Sequence, residues 1–70
     1  MDNGIHEIAR YYLARGSTVR AAALMITLVE TEPTPRNLEL LADIYAQQGL
    51  YEDAKELHLR VVMAGLRRSP

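Results

Sequence analysis

Along this chain the apolar residues recur at the spacing of a helix face. Ile5, Ile8, Ala9, Tyr12 and Leu13 form one such set, and Leu38, Leu41, Ala42 and Tyr45 form another. Each reads as an amphipathic helix. Gly16 and Gly49 follow the last turns of these two stretches, where a left-handed residue commonly ends a helix and glycine adopts that conformation without a side-chain clash. After the first reversal Ser17 or Thr18 can cap a second helix running to about residue 30, and after the second a helix runs from Tyr51 to about Leu66. Between them, Glu32-Pro33-Thr34-Pro35 interrupts the pattern, because proline cannot continue a helix and biases its predecessor toward an extended backbone. Four helices in two hairpins are predicted.

The pattern also repeats. Shifted by 33 positions, Ala9 falls on Ala42, Tyr12 on Tyr45, Gly16 on Gly49, Ala21 on Ala54, Leu24 on Leu57 and Val29 on Val62. Ile5/Leu38, Ile8/Leu41, Ile26/Leu59 and Leu28/Val61 agree in kind. A close helix crossing needs a small residue at the contact. Ala9 and Ala21 are therefore expected to meet inside the first hairpin, and Ala42 and Ala54 inside the second.

The second unit carries Leu38, Leu41, Ala42, Tyr45, Gly49, Tyr51 and Ala54, and the first matches it at Ile5, Ile8, Ala9, Tyr12, Gly16, Ala21 and Pro33. At this spacing the residues resemble the tetratricopeptide repeat (TPR). His58 and Met25 stand where that family often has an aromatic residue, and Leu66 replaces the closing proline. The resemblance implies an all-α fold: two antiparallel hairpins stacked as a short right-handed solenoid, a single domain over 1–70 with repeat 1 at about 2–34 and repeat 2 at about 35–68. It also implies a shallow ligand trough lined by the first helix of each repeat. By register Asn3, His6, Arg10 and Leu13 would line it from the first, and Arg36, Glu39, Asp43, Ala46 and Gln47 from the second. Members that clamp a peptide's terminal carboxylate use basic and asparagine residues. Only Arg10 and Arg36 correspond here, and Glu39 and Asp43 oppose that use.

The last helix is apolar on more than one side. Ala54, Leu57, Val61 and Val62 are assigned to its own hairpin, while Leu59, Met63 and Leu66 recur at i, i+4 and i+7 as an additional stripe. Burying these three side chains would supply roughly 4–6 kcal/mol before association costs. The expectation is association of two copies with the last helix at or near the contact, through a symmetric packing or an exchange of hairpins. A different expectation treats the chain as a fragment of a longer array, whose next repeat would cover the stripe because terminal repeats need a polar outer face.

Composition narrows the remaining classes. Seventy residues without cysteine exclude a disulfide and thiolate ligation of a metal, which leaves helix packing and association to stabilise a small core. A net charge of −1 offers no broad field for a polyanion, so nucleic acid is not a favoured partner. The longest apolar run, Ala21 to Ile26, is far short of the ~20 residues that cross a bilayer, and the first residues lack the features of a secretory signal, so a cytoplasmic setting is expected. His6 and His58 lie in different repeats with no partner at i+3 or i+4 suited to a metal, and the hydroxyl residues fall mainly at helix ends as caps. Three of the four tyrosines are assigned to packing, with Tyr11 left as the exposed one. No catalytic, cofactor or metal site is expected. The leading function is a non-catalytic protein or peptide interaction module. The ending Met63-Ala64-Gly65-Leu66 also looks like the close of a pentatricopeptide repeat, which keeps single-stranded RNA recognition as the alternative.

Overall fold

The computed structural model describes residues 4–68, and among them the chain forms four helices and no strand: α1 Ile5–Ala14, α2 Thr18–Thr31, α3 Pro35–Gln47 and α4 Tyr51–Arg68. The two hairpin turns are alike in their hydrogen bonding. At the end of α1, Ser17 N–H donates to Tyr12 O (2.8 Å) and Gly16 N–H to Leu13 O (3.0 Å). At the end of α3, Leu50 N–H donates to Tyr45 O (2.8 Å) and Gly49 N–H to Ala46 O (3.0 Å). Both glycines have φ 82°, the left-handed conformation that this 6→1, 5→2 pattern requires. The sequence repeat is therefore also a repeat of backbone geometry at both reversals.

The passage from α2 to α3 is built differently. Thr34 is the N-cap of α3, its hydroxyl accepting from Asn37 N–H at 3.2 Å, and Pro35 occupies the first turn, where its missing N–H costs nothing. Asn37 is buried and its Nδ2 donates to Glu32 O at 2.9 Å, so one side chain ties the end of α2 to the start of α3. Ser17 stands at the N-cap of α2 but makes no side-chain cap bond, in contrast to the expectation. Thr27 is no cap either; its hydroxyl donates back to Ala23 O within α2.

The largest helix contacts are α1 with α2 and α3 with α4, followed by α2 with α3; α1 and α3 also touch, and among the described residues α4 packs on α3 alone. The particle measures 40 × 28 × 17 Å, thin enough for about two helix layers at the usual ~8–10 Å separation. Ala9, Ala21 and Ala42 are fully covered and Ala54 nearly so, in line with close crossings inside both hairpins. The core also holds Met25 and Ile44, the largest fully buried side chains, together with Ala22, Leu28, Leu38, Leu40, Leu41 and Leu57.

Three side chains assigned to packing are exposed: Ile8 (47%), Tyr51 (69%) and Val62 (56%). One cause accounts for all three. Because α4 contacts only α3, its covered residues Ala54, Leu57 and half-buried Val61 mark the face used inside a hairpin. The equivalent residues of α2 are Ala21, Leu24 and Leu28. Beyond these α2 also covers Ala22 and Met25 and half-covers Thr18 and Val29, which is the face that α3 takes. On α4 the same positions are Tyr51, Lys55, His58 and Val62, with no helix against them among the described residues. Likewise Leu41 and Ile44 of α3 are buried, while their equivalents Ile8 and Tyr11 lie on the open side of α1. The exposed residues are the two end faces of a pair of hairpins.

Candidate interaction surfaces

Two surfaces merit description. The first is a pair of shallow clefts where α1 meets α3. One, of about 300 Å³, is lined by His6, Glu7, Arg10, Arg36, Glu39, Leu40 and Asp43. The other, of about 250 Å³, is lined by Arg10, Leu13, Ala14, Leu40, Asp43 and Gln47. Arg10, Leu40 and Asp43 are common to both, so the clefts form one continuous trough. Of the residues named from the sequence, the trough brings together His6, Arg10, Leu13, Arg36, Glu39, Asp43 and Gln47. Ala46 packs half-buried against the core and lines neither cleft, and Asn3 lies outside the described residues.

Charge in the trough is mixed, three carboxylates against two guanidiniums. Arg36 Nη2 donates to Glu7 Oε2 at 2.7 Å and so links α3 to α1, although both side chains are more than half exposed and the pair adds little stability. Arg10, Glu39 and Asp43 make no ion pair among the described residues. His6 is buried rather than displayed; its Nδ1 has no hydrogen-bond partner and lies 3.7 Å from Glu7 Oε2. That arrangement makes it a floor residue. Among the described residues no three His, Asp or Glu side chains gather as a metal site would require.

The second surface is the outer side of α4. Leu59 (55%), Met63 (49%) and Leu66 (64%) are all exposed, and Val62 joins them at i+3 to make a two-turn apolar face. Beside it runs an open groove of about 650 Å³ lined by Pro33, Leu38, Glu56, Leu59, Arg60, Met63 and Ala64. Leu38, almost wholly buried, is its floor, and Pro33 at the α2–α3 turn is the opposite wall. The repeat pattern marks Pro33 as a boundary and Leu38 as a helix-face residue, and only the fold brings them together against the last helix.

Tyr11 is exposed, as expected; its ring meets Tyr12 edge-on with centroids 5.7 Å apart, and the Arg15 guanidinium sits 5.4 Å from its centre. No helix of the described residues is long and apolar enough to cross a membrane. Compared with known protein families, characterised proteins and solved structures, the chain shows no significant match.

Proposed function

We propose that the chain is a non-catalytic protein-interaction module of the tetratricopeptide type, two hairpins stacked as a short right-handed solenoid, which self-associates through α4. The single observation that carries this reading is the apolar face Leu59-Val62-Met63-Leu66, bare in the isolated chain and continuous with an apolar-floored groove. The repeat geometry supports the hairpin assignment: the same turn hydrogen bonds recur after 33 residues, and α3 seats between α1 and α2 while also packing on α4.

The register of the repeat bears on what covers this face. A third hairpin stacked as the second stacks on the first would sit on Tyr51, Lys55, His58 and Val62, the equivalents of the α2 residues beside α3. Leu59 and Met63 instead correspond to Ile26 and Glu30, which α3 leaves exposed. Leu59 and Met63 are thus displaced from the surface that continuation of the array would use, and Val62 is common to both. Lys55 in place of Ala22 and His58 in place of fully buried Met25 also make α4 a poor seat for a further hairpin, since an ammonium or imidazole there would lose water without a partner.

Roughly half of each stripe residue is already covered, so completing the burial contributes about 2–3 kcal/mol per copy, or about twice that for a symmetric pair. Association on this scale is weak and concentration-dependent. Sedimentation velocity from micromolar to millimolar protein tests it: the mass is expected to rise toward two chains, and Met63→Glu to hold it at one. A wild-type particle that stays monomeric throughout, with Met63→Glu indistinguishable from it, removes the proposal.

The exposed Tyr11–Arg15 pair gives the RNA alternative its one specific feature, a ring and a guanidinium available for base stacking. Against it, the adjoining trough carries more carboxylates than guanidiniums. Salt-dependent binding of single-stranded RNA that Tyr11→Ala abolishes would favour it over the protein-interaction reading.

A further inference from the structure

The orientation of the self-association is written in the charge order of α4. The start of α4 is net acidic, with Glu52, Asp53 and Glu56 against Lys55. The rest of the helix carries only basic charges, Arg60, Arg67 and Arg68, and the apolar face Leu59-Val62-Met63-Leu66 lies C-terminal to the acidic start. Two such helices laid parallel bring acidic start to acidic start and basic end to basic end. Laid antiparallel they avoid both like-charge contacts; with Leu59 opposite Leu66 the basic end of one helix falls beside Glu56 of the other, and the helix dipoles are opposed as well. An antiparallel pair is also the arrangement that a two-fold axis across α4 generates, with the same patch used by both copies.

The face fixes the register. Leu59 and Leu66 are its two ends and Val62 and Met63 its middle, so pairing the ends crosswise covers every member of the stripe at once. The groove beside Leu59 and Met63, floored by Leu38 and walled by Pro33, then stands where a side chain from the opposing helix arrives.

We propose that two copies of this chain pair through α4 in antiparallel orientation about an axis near Val62 and Met63, with Leu66 of each copy packing against Leu59 of the other at the mouth of the Pro33–Leu38 groove. This rests on the self-association reading above and adds to it a direction and a register.

Because the chain contains no cysteine, single cysteines report the geometry without background. Leu59→Cys and Leu66→Cys are suitable because both positions are exposed in the single chain, so neither change threatens its fold. Each variant alone, and the two mixed, are oxidised with a copper–phenanthroline catalyst and read on non-reducing gels. Val19→Cys, 74% exposed on α2, measures random collision. The mixture is expected to yield the covalent dimer at least about tenfold faster than either variant alone or than Val19→Cys, since paired sites hold the two sulfurs at high effective concentration. Self-cross-linking of Leu59→Cys and of Leu66→Cys as fast as the mixture would overturn the antiparallel order while leaving the association intact. A dimeric mass in sedimentation with no product above the Val19→Cys rate overturns the register and contact assigned to α4. A monomeric mass under the same conditions overturns the underlying self-association as well.

Discussion

Gly49 and Gly65 are both glycine, exposed, and free of any neighbour that an added methyl group would strike, yet they should respond oppositely to alanine. Gly49 has φ 82° and closes the α3 turn, so Gly49→Ala imposes a left-handed backbone on an L side chain and should cost about 1–2 kcal/mol. Gly65 lies inside α4, where alanine is the better helix former, and Gly65→Ala should stabilise by about 0.5–1 kcal/mol. Urea denaturation of the two variants checks the pair, and a shift of the same sign in both would contradict the turn geometry. The alanines and Ile44, one of the two largest fully buried side chains, give the complementary test of packing. Ala42 is fully buried, so Ala42→Leu should overpack the crossing and cost about 1–3 kcal/mol, and Ile44→Ala should open a cavity and cost about 2–5 kcal/mol. For a protein of this size either loss approaches the whole stability. Near-wild-type denaturation midpoints for both would show that the core is not packed as described.

At the scale of the helices, the difference between α2 and α4 is the informative one. They occupy equivalent positions in the repeat, but α2 is covered on two faces and α4 on one. Lys55 and His58 are therefore exposed while Ala22 and Met25 are buried. Giving α4 the α2 residues, with Lys55→Ala and His58→Met together, should recreate a surface suited to the open side of α1, where Ile8 and Tyr11 stand bare. The expected outcome is head-to-tail growth into larger assemblies, since such a contact does not close on itself. Light scattering would detect it, and an unchanged particle size would argue that these positions do not decide stacking. The trough between α1 and α3 is a different kind of surface. Its Arg36–Glu7 link positions the two helices rather than stabilising them, because both side chains remain largely in water.

For the molecule as a whole, the proposed association would be linked to stability. If the α4 face is covered in a pair as proposed, pairing stabilises the folded chain by mass action, and the thermal midpoint should rise with protein concentration. Calorimetry over a hundredfold concentration range would show this for the wild-type chain, and the dependence should vanish in Met63→Glu. A midpoint independent of concentration in the wild type would mean that α4 stays uncovered. The thin shape would make such coupling effective, because the described residues form a single small core.

The helix spacing, the two glycine reversals, the proline-marked boundary and the 33-residue repeat were all readable in the sequence, because each is a local rule of backbone conformation or side-chain period. The small crossing residues and the bare stripe Leu59-Met63-Leu66 were readable for the same reason. What the period does not say is which apolar face meets another helix. Ile8, Tyr51 and Val62 fit the helical pattern as well as Leu41 or Leu57 do, and they are exposed because no helix among the described residues packs on those faces of α1 and α4. His6 and Asn37 are polar by sequence, and only the approach of neighbouring helices buries them. The groove beside α4 likewise exists because the Pro33 turn, distant in the chain, is carried against the last helix. Local chemistry determined the elements, and the number of neighbours each element found decided which of its faces stayed in water.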